Sequence, residues 1–149
     1  MYSQPVHKIL LVDDDPGVRH SLELLLNWAG YRVSTAEHSV DAILVLQRAV
    51  PDVIIYELEL NRVPGHDFLA IVRQQHPQIS VIGMSNHDED GAVPEGVLAD
   101  AVYVKGLTRP ESLLKMAAEL IRTAGAREAE RQKAVHPPLS NGRASRAGA

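Results

Sequence analysis

Hydrophobic and polar positions divide the chain into two kinds of segment that alternate. Short, continuous apolar runs have the pattern of strands buried on both faces of a sheet, and they lie at 8–12, 31–35, 53–56, 79–84 and 101–104. Each run is followed by a stretch in which apolar residues recur at helical spacing, and these stretches begin near Pro16, Ser39, Phe68, Val93 and Pro110. Five strand–helix repeats predict a parallel sheet with helices on both faces, an open doubly wound α/β fold.

Residues that begin and end helices support this division. Asp15 stands directly before Pro16 and has the side chain of a helix N-cap, and Gly30 is placed to end the first helix. Trp28, near the end of that helix, is expected to pack. The stretch at 93–99 is the weakest because glycine and proline interrupt it, so its helix is expected to be short or irregular.

Charge is spread unevenly over the 149 residues, whose formal net charge is −4. Residues 1–124 carry 10 Lys and Arg against 17 Asp and Glu, a balance of −7, whereas residues 125–149 carry 5 against 2, a balance of +3. The acidic body argues against nucleic acid as its partner. The basic end holds few large apolar side chains, so residues 6–124 are expected to form the folded domain and residues 125–149 a disordered basic tail.

Composition excludes several classes of protein. Cysteine is absent, which rules out a disulfide framework, a thiolate zinc site and a cysteine nucleophile. No apolar run reaches the roughly 20 residues of a membrane helix, and the N-terminal residues lack the pattern of a secretory signal. We therefore expect a cytoplasmic protein without a membrane partner.

Polar side chains follow four of the predicted strands at the point where each strand ends. They are Asp13, Asp14 and Asp15 after the first strand, Glu57 and Glu59 after the third, Ser85 after the fourth and Lys105 after the fifth. In a doubly wound sheet the carboxyl ends of the strands meet at one edge, where functional sites lie. Clustered carboxylates suit a hard cation such as Mg²⁺, and a hydroxyl and an ammonium opposite the cation suit a phosphoryl group. The alternative interpretation is a set of capping and solvated loop residues.

Four short motifs stand in the order and spacing of a known family. They are VDDDP at 12–16, PDVIIYELEL at 51–60, VIGMS at 81–85 and YVKG at 103–106. Over residues 6–124 the chain resembles the receiver domain of two-component response regulators. The resemblance implies a flavodoxin-like fold, with a five-stranded parallel sheet in the order 2-1-3-4-5 and five helices.

The resemblance also implies roles for the residues at the strand ends. Position 57 is that of the phosphoacceptor, and Ser85 and Lys105 would contact the phosphoryl group. Weak Mg²⁺ binding is expected, in a metal-sized cluster that contains the carboxylates of Asp13, Asp14 and Glu57. The implied ligands are Asp14, Glu57, the backbone carbonyl of Glu59 and, through water, Asp13.

Position 57 departs from the family, which has an aspartate there, whereas this chain has Glu57. The extra methylene moves the carboxylate outward, and in-line attack on a phosphoryl donor tolerates little error in distance. Phosphoryl transfer to Glu57 is therefore expected to be slow or absent. Without metal, the glutamate has the reach to pair with Lys105. Gly106 also stands where the family usually has a proline.

The leading hypothesis is a single-domain, atypical receiver in bacterial phosphorelay-type signalling, which acts by protein–protein contacts and is not an enzyme. Its expected partner is a histidine kinase or another signalling protein. A homodimer through the fourth helix, fifth strand and fifth helix is a further option. Two alternatives stay open. One is an active phosphoacceptor that relays phosphoryl groups from a histidine kinase, and the other is a pure dimerisation or binding module.

Overall fold

A computed structural model describes residues 5–62, 67–86, 93, 96–106 and 108–135 of the chain. The strands are Lys8–Val12 (β1), Arg32–Ala36 (β2), Val53–Glu57 (β3), Ser80–Ser85 (β4) and Ala101–Val104 (β5). The α-helices are Pro16–Trp28 (α1), Ser39–Arg48 (α2), Phe68–Gln75 (α3) and Pro110–Val135 (α4), and a short 3-10 helix, Leu58–Arg62, directly follows β3.

The five strands form one parallel sheet in the order β2-β1-β3-β4-β5. This confirms the predicted flavodoxin-like α/β fold and its strand order. The register pairs Val12 with Tyr56, Glu57 with Met84, and Ser85 with Val104. The carboxyl ends of β1, β3, β4 and β5 are therefore nearly level, which brings the residues that follow them to one edge.

Each face of the sheet has its own hydrophobic core, because neighbouring residues of a strand point to opposite faces. On one face Leu10 and Ile54 pack with residues of α2 and α3. On the other face Leu11, Ile55 and Tyr103 pack with residues of α1 and α4. The central strands β1 and β3 are buried on both faces, which explains their continuous apolar sequences.

The structure contains four α-helices in the described residues, not the predicted five. The helix expected at 93–99 is not seen in its described residues, since residue 93 and residues 96–99 are not helical, and residues 94 and 95 lie outside the described residues. Gly96 has a φ of +83°, a left-handed backbone conformation that no α-helix contains. Asp100 directly precedes β5. Its carboxylate accepts hydrogen bonds from the Val81 amide (2.8 Å) and from Arg73 (2.8 Å).

The ends of two helices differ from the expectations. Trp28 does not pack, because 83% of its surface is exposed at the end of α1. Helix α4 continues to Val135, through eleven residues of the segment expected to be disordered, and residues 136–149 lie outside the described residues. The helical residues 125–135 are all exposed and make the ion pair Glu128–Arg131 along the helix. The domain boundary at 124 stays a prediction.

None of these helices, over the part of the chain that the structure describes, is both long and apolar enough to span a membrane.

Candidate functional site

Three charged side chains meet at the carboxyl edge of the sheet. Leu11, Ile55 and Tyr103 lie on the α1–α4 face of β1, β3 and β5. Two residues further along these strands stand Asp13, Glu57 and Lys105. Because side chains alternate with a period of two, all three extend on the same face of the sheet.

The ammonium of Lys105 lies between the two carboxylates. Its Nζ donates to Asp13 Oδ2 at 2.7 Å and makes an ion pair with Glu57 Oε2. The side chains of Lys105, Asp13 and Glu57 are 13%, 1% and 3% exposed, so this charged triad is nearly closed to water. The pairing of Glu57 with Lys105 that the glutamate's length predicted is confirmed.

Backbone amides hold the other carboxylate oxygens of the triad. The Asp15 amide donates to Asp13 Oδ1 at 2.9 Å, and the Glu59 amide donates to Glu57 Oε1 at 3.1 Å. Three of the four carboxylate oxygens of Asp13 and Glu57 therefore accept a hydrogen bond from the protein, and the fourth, Glu57 Oε2, is in ionic contact with the Lys105 ammonium. The Lys105 amide donates to the Ser85 carbonyl at 2.8 Å, which fixes the backbone that presents the ammonium.

Burial and pairing set the ionisation of the triad. Burial raises the pKa of Glu57 above its ordinary value, although the Lys105 ammonium and the Glu59 amide act in the opposite direction. Burial alone would lower the pKa of Lys105, but its hydrogen bonds and charge interactions with Asp13 and Glu57 outweigh burial and raise that pKa. Lys105 therefore stays cationic at neutral pH and serves as the counter-ion of both carboxylates.

The other two aspartates of the DDD sequence do not join the triad. Asp14 is exposed. Asp15 is the N-cap of α1, since its Oδ1 accepts from the amides of Gly17 (2.9 Å) and Val18 (3.2 Å). Its expected capping role is confirmed.

The predicted metal-sized cluster of Asp13, Asp14 and Glu57 is wrong for this structure. Within the described ranges, no three His, Asp or Glu side chains are grouped so that they could hold a metal ion. Asp13 is buried at the triad, whereas Asp14 lies in a bend beyond the end of β1 and is exposed. As arranged, the donor set does not fit Mg²⁺, because Lys105 already occupies the position between the carboxylates. The phosphoryl-contact role of Ser85, at the end of β4, stays a prediction.

Two supporting contacts were not predicted. Arg19 Nη1 on α1 donates to the Asp13 carbonyl at 2.8 Å and so braces the residue after β1. Gly83, in the middle of β4, leaves room for Leu58, since a Cβ at position 83 would lie 2.8 Å from Leu58 Cδ2. A glycine inside a buried strand is a sequence signal for such a close approach.

Comparisons with known proteins agree with this fold. The family model of the response regulator receiver domain matches residues 9–118. The transcriptional regulatory protein GlrR of Escherichia coli is 36% identical over 111 residues, which are 74% of this chain and 24% of GlrR. This chain thus spans about a quarter of the length of that relative. GlrR is a transcriptional regulatory protein, so this comparison does not support the expectation that nucleic acid is excluded as a partner.

Solved structures show the same architecture. The chemotaxis response regulator CheY4 of Vibrio cholerae matches with a TM-score of 0.66 and 28% identity, and the match covers 78% of this chain and 99% of CheY4. The response regulator TrrA of Thermotoga maritima, in complex with Mg²⁺–BeF, matches with a TM-score of 0.67 and 23% identity, covering 77% of this chain and 99% of TrrA. Receiver domains generally bind Mg²⁺.

The family match includes all five strands except the first residue of β1, and it includes Asp13, Glu57, Ser85 and Lys105. The strand order and the meeting of Asp13, Glu57 and Lys105 at the carboxyl edge are consistent with it. This chain belongs to the family of receiver domains of two-component response regulators.

Proposed function

We propose that this receiver domain works in two-component signalling as a pseudo-receiver. In this role it is a cytoplasmic, non-enzymatic module that acts through protein contacts and does not accept a phosphoryl group. The observation that carries the proposal is the state of Glu57, which stands at the position of the family's acceptor aspartate. Glu57 is buried, and both of its oxygens contact protein donors.

An attacking carboxylate needs an accessible lone pair in line with the donor phosphorus. In this chain Glu57 Oε2 faces the Lys105 ammonium and Oε1 faces the Glu59 amide. The longer side chain also places the carboxylate further from β3 than an aspartate would. Both features act against phosphoryl transfer and support a fixed negative charge next to the lysine.

The partner of such a module is a histidine kinase or another signalling protein, as for receiver domains in general. A homodimer through the fourth helix, fifth strand and fifth helix stays part of the proposal. Of the elements expected on that face, the described residues contain β5 and the last helix, α4.

Intact-mass measurement after incubation with acetyl phosphate and Mg²⁺ tests the proposal. The wild-type chain should gain no phosphoryl mass, whereas Glu57→Asp should gain one, because Asp13, Ser85 and Lys105 remain in place. Glu59→Asp is the matched control, since it shortens a neighbouring glutamate by the same methylene, and it should stay unlabelled.

Labelling of the wild-type chain that disappears in Glu57→Gln would overturn the proposal in favour of an active phosphoacceptor. If Glu57→Asp also stays unlabelled, the loss of phosphoryl chemistry extends beyond position 57. The departure at Gly106 would be the next position to test, and the binding-module alternative would gain support.

A further inference from the structure

The carboxyl edge of the sheet holds a cation of its own, the Lys105 ammonium. We infer that Lys105, which the long side chain of Glu57 reaches, occupies the cation position between Asp13 and Glu57, so that this chain excludes divalent metal from the site as long as both the lysine and the glutamate are present. The inference goes beyond the proposed function, which concerns phosphoryl transfer, and it differs from the general behaviour of receiver domains.

The contacts of the two carboxylates carry the inference. Asp13 and Glu57 are the two carboxylates that the structure brings together at this edge, and both contact the same Nζ. Their second oxygens accept from the backbone amides of Asp15 and Glu59, which are fixed by the chain itself. Mg²⁺ requires oxygen ligands at short distance in near-octahedral geometry. A metal ion could obtain that geometry only by displacing the ammonium or the amides.

A metal ion could also not bind favourably to the carboxylate oxygens that Lys105 already contacts. A carboxylate oxygen has two lone-pair directions, so a metal ion and the ammonium on one oxygen would lie only about 4 Å apart. In a site where the three side chains are at most 13% exposed, solvent screens this repulsion poorly. Asp14 lies outside on the exposed surface and offers one carboxylate in water.

The length of Glu57 explains why the lysine can hold this position. The glutamate carboxylate reaches Lys105 while Lys105 still donates to Asp13 at 2.7 Å. The ammonium therefore neutralises both acids at once, and one unit of negative charge remains in the triad when all three groups are ionised. A monovalent, covalently attached cation thus replaces an exchangeable divalent one.

Mn²⁺ titration followed by electron paramagnetic resonance tests the inference on the full chain, because protein-bound Mn²⁺ loses the signal of the free ion. The wild-type chain should show no saturable binding. Lys105→Met should bind Mn²⁺ at least about tenfold more tightly, since both carboxylates lose their counter-ion. Adding Asp13→Asn to Lys105→Met should remove the gained binding. Lys115→Met is the matched control, because it removes one exposed lysine charge of α4 away from the triad and should behave as the wild type.

A second measurement needs no variant and covers the case in which Lys105→Met fails to fold. Mn²⁺ added to the ¹⁵N-labelled wild-type chain should not selectively broaden the amide signals of Asp15 and Glu59, compared with the exposed Glu119 on α4. Selective broadening of these amides overturns the inference. A folded Lys105→Met variant that gains no Mn²⁺ binding also overturns it.

The metal and mass experiments separate the two conclusions. A wild-type chain that binds Mn²⁺ at this site but stays unlabelled by acetyl phosphate contradicts only the exclusion of metal. A wild-type chain that is labelled at Glu57 contradicts the proposed function.

Discussion

Removal of the Lys105 ammonium should be among the most costly single changes in this protein. Lys105→Met keeps most of the length and the apolar part of the side chain but leaves Asp13 and Glu57 buried without their shared counter-ion. The carboxylates are 1% and 3% exposed, so they cannot recover hydration in place. Breaking a buried ion pair by removing one partner costs about 3–5 kcal/mol, which is a large part of the stability of an ordinary domain.

Urea unfolding at pH 7, followed by far-UV circular dichroism, measures this loss. Glu57→Gln should cost less, about 1–3 kcal/mol, because Lys105 keeps its bond to Asp13. The double variant that combines Lys105→Met with Glu57→Gln should be more stable than the sum of the single losses predicts, by about 1–3 kcal/mol. The reason is that the glutamine leaves no unpaired charge at position 57 once the ammonium is gone.

An exposed ion pair of α4 provides the control for this cycle. Glu119 and Arg122 are 62% and 70% exposed, and Arg122→Met should leave the urea midpoint essentially unchanged. If Lys105→Met costs less than about 1 kcal/mol, the triad behaves like a surface pair and the reasoning from burial is wrong.

Two further predictions concern the surroundings of the triad. Tyr56→Phe removes the buried hydrogen bond between Tyr56 Oη and Ser39 Oγ (2.8 Å) and should cost about 1 kcal/mol at pH 7. Burial raises the pKa of Tyr56, so the stability difference between the wild type and Tyr56→Phe should shrink as the pH rises above 10 through that pKa. A difference that grows at high pH in urea unfolding would contradict this prediction. Gly83→Ala places a Cβ against the Leu58 side chain and should lower the stability by about 1–3 kcal/mol, and an unchanged thermal midpoint would refute the close packing.

The sequence by itself determined the elements that depend on local pattern. The apolar runs of β1 and β3 identify strands buried on both faces, because only such strands lack polar alternation. Asp15 before Pro16 identifies the start of α1, since capping involves only neighbouring residues. The strand order and the meeting of Glu57 with Lys105 came from the resemblance and from the length of the glutamate side chain, and both are present in the structure.

Local pattern was insufficient where a choice depended on tertiary packing or on backbone geometry. Trp28 fits an apolar helix position, yet nothing in α1 alone indicates whether a neighbour covers it, and it is exposed. The expected helix at 93–99 is not formed in its described residues, and Gly96 there has a left-handed backbone. Helix α4 continues to Val135 because helix formation needs no burial where propensity and ion pairs along the helix suffice.

The charged site shows most clearly which features the sequence determined and which the tertiary structure decided. Asp13 and Asp14 are both aspartates that follow β1, and only the folded structure makes Asp13 a buried partner of Lys105 and leaves Asp14 exposed. The sequence supplied the charged residues at the strand ends. The parallel register of the sheet decided which of them meet, since it sets β1, β3 and β5 level and turns Asp13, Glu57 and Lys105 toward the same face.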